Sequence, residues 1–321
     1  MSTSRLTTAL TDGLIVLPEG PVRIMRPSAD YDLSALPRSM VQIDTGFKPD
    51  ATAFAASGYT LGAAPAPVTI VVAPRSKTLA RAMIAEAAAT ASLVIVDGHK
   101  TDGIDSLYKD CRARLGDLPC ISKGHGRLFC FAGTQAFADW TGSGPVQGDH
   151  GFWTTAGVFS DGAVDRGSAL LVSVLPDKLP SRMADLGAGW GYLSTAVLSR
   201  PGVETLDLVE AESLSLDCAR MNVVDNRASF HWADATTWAA ARPYGGIVMN
   251  PPFHTGRAGD PALGQAFIAA AARNLTPTGQ LWMVANRHLP YEAILRQKFR
   301  TVEEIGGDGG FKVYHASRPA R

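Results

Sequence analysis

Three glycines within five residues, Gly187, Gly189 and Gly191, stand between an apolar run ending at Leu186 and a helix-like stretch from Tyr192 to Arg200. A chain that leaves a strand, turns this tightly and enters a helix has few options, and glycine supplies the backbone freedom the turn needs. A strand followed at once by a helix opens a βαβ unit, which predicts a parallel sheet with helices on its faces. The segment Asp185-Leu-Gly-Ala-Gly-Trp-Gly191 also lets a ligand carboxylate or phosphate approach the N–H groups at the helix start. Its spacing is GxGxG, with Tyr192 where a dinucleotide fingerprint has its third glycine, which argues against a nicotinamide enzyme.

The alternation of strand and helix runs through the chain twice. VTIVVA at 68–73, a helix-like stretch over 77–91, LVIVDG at 93–98 and RLFCFAG at 127–133 form a first set. Residues 134–149 are rich in Gly, Ser, Thr and Asp and lack periodicity, so the domain boundary is placed there. The second set runs through a helix from Gly167, the glycine segment and VETLDLVE at 203–210. It continues with a further helix, an acidic turn at Ala233–Asp234, GGIVMN, GQLWMVAN at 279–286, a helix to about Arg300, and FKVYHASRP as a final strand. The expected architecture is α/β, two tandem Rossmann-like domains spanning 1–145 and 146–321. Only the second carries a glycine-rich turn after its first strand.

With 321 residues, 46% of them hydrophobic, the chain has material for two cores. Charged residues make up 19% and the formal net charge is zero. That excludes a protein holding nucleic acid by bulk charge and leaves a local basic patch open. None of Cys111, Cys120, Cys130 and Cys218 forms a CxxC pair, so no structural metal is expected. The N-terminus has no apolar signal core, and no apolar run approaches the roughly 18 residues that span a bilayer. The expectation is a cytoplasmic protein with reduced thiols.

Two acids follow the glycine segment at intervals of about one βα unit. Glu210 ends the strand VETLDLVE, where a carboxylate can accept from both hydroxyls of a ribose. Asp234, followed by Ala235, closes the next strand-like segment, where a carboxylate can receive an adenine amino group. Glycine loop and two acids in this order resemble the class I S-adenosylmethionine methyltransferases. The resemblance implies S-adenosylmethionine as cofactor, held by Asp185, Gly187, Ala188, Gly189, Gly191, Glu210, Asp234, Ala235 and Asn250.

The most specific signal is Asn250-Pro251-Pro252-Phe253, directly after the apolar strand GIVM. A residue before proline is held out of helical geometry, and two prolines fix an extended turn. The strand therefore stops at the carboxyl edge of the sheet, where ligands of open α/β folds bind. The Asn250 side-chain oxygen and the Pro251 carbonyl can act as paired acceptors for an NH2 group, while Phe253 stacks on a flat ring. An exocyclic amine is a poor nucleophile because its lone pair is delocalised. Acceptors out of the ring plane favour a pyramidal nitrogen and free that pair. No metal and no strong base are needed, since the proton can leave after the methyl group arrives. Catalytic residues are expected at Asn250, Pro251, Pro252 and Phe253.

Over nearly its whole length the chain resembles the bacterial ribosomal RNA guanine-N2 methyltransferases, above all the small-subunit 16S branch with tandem methyltransferase-like domains. The residues that carry this are Gly157-Val-Phe-Ser160, Asp165-Arg-Gly-Ser168, Asp185–Gly191 and Asn250–Gly256, with VVAPRSK, VIVDGHKTDGIDS and KGHGRLFCF in the first half. The resemblance implies a degenerate N-terminal domain that has lost cofactor binding and aids folding or holds RNA. LVIVDGHK indeed carries no NPPF. It further implies that Phe159, Asp165 and Ser168 belong to a segment lying over the cofactor.

Phe159, Phe253 and His254 are the expected substrate contacts, His254 by positioning rather than as an obligatory base. His288 lies near the site, and Trp190 is expected to pack beside cofactor or core. Arg75, Lys77, Lys100, Lys123 and Arg127 are candidate phosphate contacts. Ribosomal RNA or a ribosomal subunit is the expected partner and a monomer the expected state. The tetrapeptide alone also suits methylation of adenine N6 or of a protein glutamine, and a vestigial RNA-binding assembly factor is the non-enzymatic alternative.

Overall fold

The computed structural model describes residues 4–252, 254–255, 258–259 and 261–320. The chain divides into two compact units, Met1–Gly144 and Pro145–Arg321. The segment after residue 133 is only partly linker, because Phe137 and Trp140 are buried in the core of the first unit.

The first unit runs α1 (Arg5–Thr11), β1 (Val22–Met25), β2 (Val41–Asp44), α2 (Lys48–Ala56), β3 (Thr60–Leu61), β4 (Val68–Val72), α3 (Lys77–Thr90), β5 (Leu93–His99), α4 (Ile104–Leu115), β6 (Cys120–Lys123) and β7 (Gly126–Ala132). Its sheet has the order β3-β2-β1-β4-β5-β7-β6. The first five strands pair in parallel, and β7 is antiparallel to both β5 and β6. One face packs on α3 and α4, the other on α1, α2 and the 31–36 segment.

The second unit begins with a short antiparallel pair, β8 (Val146–Gln147) and β9 (Trp153–Thr154), and continues with α5 (Arg166–Val174), β10 (Arg182–Leu186), α6 (Tyr192–Leu198), β11 (Thr205–Glu210), α7 (Ser213–Asn222), β12 (Ala228–Trp232) and β13 (Tyr244–Met249). A two-residue pair, β14 (His254–Thr255) with β15 (Ala258–Gly259), precedes α8 (Pro261–Asn274), β16 (Leu275–Asn286), α9 (Glu292–Lys298), β17 (Phe299–Gly307) and β18 (Phe311–Pro319). The sheet order, β12-β11-β10-β13-β16-β18-β17, repeats that of the first unit strand for strand. Both sheets are mixed rather than purely parallel, since β18 is antiparallel to β16 and β17. The last helix also stops earlier than its sequence suggests: from Phe299 the chain is strand, paired with β18 from Phe299↔Pro319 onward.

The common topology gives a residue-by-residue register. The last paired residues of the central strands are Met25, opposite Asp44 and Val71, and Leu186, opposite Val209 and Met249. The next residue in each case has positive φ, Arg26 at 55° and Gly187 at 75°. Each donates its N–H to the adjacent strand, Arg26 to the Asp44 carbonyl and Gly187 to that of Val209. In this register Ile24 stands for Asp185, Thr45 for Glu210 and Val72 for Asn250. The counterpart of the NPPF strand is therefore β4, followed by Ala73-Pro-Arg-Ser76, and not the LVIVDGHK segment of β5.

Among the described residues no helix is long and apolar enough to cross a membrane, and no cluster of three or more His, Cys, Asp or Glu has metal-binding geometry.

Candidate active site

The carboxyl ends of β10, β11, β12 and β13 bring the expected site residues to one edge of the second sheet. Strand order reverses between β10 and β13, the place where open α/β sheets leave a crevice. The glycine turn occupies the mouth of that crevice. Gly187, Gly189 and Gly191 have φ of 75°, 56° and 93°, the left-handed region that glycine enters at no steric cost. A Cβ at Gly189 would meet nothing within 4 Å, whereas one at Gly191 would lie 2.8 Å from Val223, just past α7, and 3.4 Å from Ala219 within it. The first glycine property keeps a ligand-sized approach open; the second lets α6 sit tightly on α7. Ala188 is buried.

Asp185 is fully buried, and the Ser194 hydroxyl donates to its Oδ2 at 2.7 Å. Its Oδ1 has no hydrogen-bond partner among the described residues. Burial pushes its carboxyl up to about 7; the Ser194 bond opposes this and the neighbouring Glu210 adds to it. Glu210 accepts from the Gly189 N–H at 2.8 Å and the Glu212 N–H at 2.7 Å, one on each carboxylate oxygen. Both oxygens, expected to serve a ribose, thus also brace the glycine turn, and each retains a further lone pair. Burial again raises this carboxyl, against the pull of the two N–H groups. Asp234 forms a tight turn, its Oδ1 accepting from the N–H and hydroxyl of Thr236 at 2.8 and 2.7 Å, with Ala235 buried beside it.

Asn250 follows the last residue of β13, and the prolines after it leave no N–H to continue the ladder. Its Nδ2 donates to Asp165 Oδ2 and to Ser168 Oγ, both at 2.8 Å. Its Oδ1 is buried and has no partner among the described residues. Pro251 is buried and Pro252 exposed. Phe253 lies outside the described residues, and of His254 only its place in β14 is described.

Several contacts around the site join residues distant in sequence. Asp165 caps α5 through the Ser168 N–H and meets Asn250 with the same oxygen. Asn222, at the end of α7, donates to the carbonyls of Trp153 and Trp190 and accepts the Trp153 N–H. Trp190 is buried against Val158 and Cys218, with Phe152 and Tyr192 around it, and its indole N–H donates to the Phe159 carbonyl at 3.3 Å. The Phe159 side chain is 49% exposed. Asn222 has no motif to announce it; Asp165 and Ser168 are singled out by the family resemblance, as part of a segment over the cofactor, but their contact with Asn250 has no sequence signal.

His288 is exposed, in the turn after β16. Of the basic residues proposed for phosphate contacts, Lys77 pairs with Asp110 at 2.8 Å, Arg127 with Asp105 at 2.9 Å, and Lys123 donates to the Thr8 hydroxyl. Arg75 and Lys100 are exposed.

Residues 149–315 match the family model of the methyltransferase small domain. The ribosomal RNA small subunit methyltransferase C of Shewanella halifaxensis is 31% identical over 260 residues, covering 76% of this chain and 75% of that protein. The chain belongs to the small-subunit ribosomal RNA methyltransferase C family. A second member, from Psychromonas ingrahamii, is 34% identical over 158 residues, 49% of this chain and 45% of its own. The T. thermophilus 16S rRNA guanine-N2 methyltransferase, in complex with AdoMet and guanosine, shares the fold with a TM-score of 0.79 at 24% identity, over 96% of this chain and 91% of that one. The two tandem sheets of this chain are thus a fold shared with that solved structure.

Proposed function

We propose that this chain transfers a methyl group from S-adenosylmethionine to the exocyclic N2 amine of a guanine in 16S ribosomal RNA. The observation that carries the reading is the buried Oδ1 of Asn250 at the end of β13, without a partner among the described residues, on the sheet edge that also carries the glycine turn and the two acids. A buried acceptor left unmatched costs roughly 1–3 kcal/mol, and a donor that arrives with the substrate removes that cost. A planar NH2 group is such a donor.

The residues present fit the cofactor. The open space at Gly189 admits a ligand close to the backbone. Asp185, with its free Oδ1, is suited to the ammonium of the methionine part, Glu210 to the ribose hydroxyls, and Asp234 with Ala235 to the adenine. When bound, S-adenosylmethionine supplies an already activated methyl group. Asn250 and the Pro251 carbonyl hold the target amine out of the plane of its ring, Phe159 supplies a face on which the base stacks, and Phe253 and His254 are the further expected substrate contacts. Catalysis then rests on positioning, which can contribute roughly 7–11 kcal/mol. A guanine taken from a paired region must first be flipped, at a cost of a few kcal/mol.

The first unit is read as the degenerate domain, with its boundary near residue 145. The register supports this, because Ile24, Thr45 and Val72 stand where the second unit has Asp185, Glu210 and Asn250. A monomer acting in the cytoplasm, where ribosomal subunits are its substrate, completes the reading.

The test is incubation with labelled S-adenosylmethionine and small ribosomal subunits lacking their guanine-N2 methylations, followed by nucleoside mass spectrometry. N2-methylguanosine from the wild type and none from Asn250→Ala is the expected result. N6-methyladenosine, or label only in protein, overturns the choice of substrate.

A further inference from the structure

The Asn250 amide is not free to choose which end faces the substrate. Its nitrogen carries two protons, and each has one acceptor at 2.8 Å: Asp165 Oδ2 and Ser168 Oγ. A carboxylate can only accept, so turning the amide over would set its carbonyl oxygen against a negative charge. Ser168 is buried, with 7% of its surface exposed, and Asp165 is held in turn by the Ser168 N–H at 2.8 Å. These residues come from the start of α5, more than 80 positions before Asn250 in sequence. The amide is thus clamped by its nitrogen, and the oxygen is presented buried and without a partner among the described residues.

We infer that Asp165 and Ser168 are positioning residues of the methyl transfer, which aim the Asn250 oxygen at the target amine and make it a stronger acceptor. The inference rests on the reading of Asn250 as the acceptor for that amine. Donation of both amide protons, one to a full negative charge, shifts electron density toward Oδ1, as in any chain of hydrogen bonds. Neither residue needs to touch the substrate. At metal sites, partners that orient a ligating side chain are worth about 10–100-fold when removed, and a loss of that order is expected for the clamp on Asn250.

The test is single-turnover methylation at saturating substrate, run beside AdoMet affinity and thermal unfolding. Asp165→Ser keeps a good helix cap but is too short to reach Asn250. It is expected to lower the methyl-transfer rate about 10–100-fold, with AdoMet Kd and Tm close to wild type. Asp165→Asn retains an acceptor oxygen at the same place and is expected to recover most of that rate. In the Asn250→Ala background, Asp165→Ser is expected to add no further loss, because residues acting as one unit are not additive. Independent losses in the double variant, or a loss confined to AdoMet affinity, overturn the inference while leaving the Asn250 reading intact. Full activity of Asn250→Ala overturns that reading and the inference together.

Discussion

The side-chain amide of Asn222 donates to the carbonyl of Trp190 at 2.8 Å, fastening the glycine turn from behind. The same amide donates to Trp153 and its oxygen accepts the Trp153 N–H at 2.6 Å. One side chain therefore ties together α7, the turn that faces the cofactor and β9. Asn222→Ala leaves these backbone groups without protein partners, at a cost of about 1–3 kcal/mol. A fall in Tm of several degrees and weaker AdoMet binding by calorimetry are expected together. Unchanged binding in a folded variant would show that the turn stands without this support.

Gly189→Ala and Gly191→Ala should separate ligand approach from packing. Both positions have positive φ, which costs an L-residue about 1–2 kcal/mol. At Gly189 the added methyl meets nothing, so stability should drop by no more than that while AdoMet affinity falls at least tenfold. At Gly191 the methyl presses on Val223 at 2.8 Å, and the loss of Tm should be clearly the larger of the two. Titration calorimetry and thermal melts on both variants decide it.

AdoMet affinity should depend on pH through Asp185. Its carboxyl titrates at about 7 in the folded protein, above its ordinary 3.8. Between these values the folded chain binds a proton that the unfolded chain has released, so the ligand-free protein loses stability as pH rises through that window. A cationic ligand group favours the ionised carboxylate, so affinity is full above about pH 7 and declines below it, by up to about tenfold per unit. Asp185→Asn should flatten this dependence and weaken binding at pH 8. A wild-type affinity that stays constant from pH 5.5 to 8.5 would contradict the assignment.

Phe159→Ala should act on the substrate alone. The ring is half exposed while its backbone carbonyl holds Trp190, so truncation spares the turn. Stacking of a base on an aromatic ring is worth about 1–3 kcal/mol. The expected outcome is a loss of kcat/KM for the RNA of roughly 5–100-fold, with AdoMet Kd unchanged in equilibrium binding.

How much of this was legible depends on how local each device is. Asp185 to Gly191, Glu210, Asp234 and Asn250 announce themselves because a strand end, a turn and a chemical residue type coincide within a few positions. The clamp on Asn250 and the tie at Asn222 join segments 32 to 85 residues apart, and no periodicity reports such a meeting. The first three strands are short, and β1 carries a buried arginine, Arg23, neutralised by Asp44 and by Glu86 at 2.7 Å. A charged residue in a four-residue run hides a strand whose core character depends on partners elsewhere. β17 was concealed differently: FRTVEEIGG is half exposed, and edge strands of this kind carry charges that read as helix surface.

The left-handed residue after each central strand separates two demands usually met by one amino acid. Arg26 takes the bend at φ 55° with a long side chain, where the second unit uses Gly187 at 75°. The bend therefore belongs to the crossover of the fold itself, which asks for it whether or not anything binds. Glycine is the requirement of a visitor that must come near the backbone. On the proposed reading of the first unit as degenerate, the difference between arginine and glycine at that corner separates the half that receives guests from the half that does not.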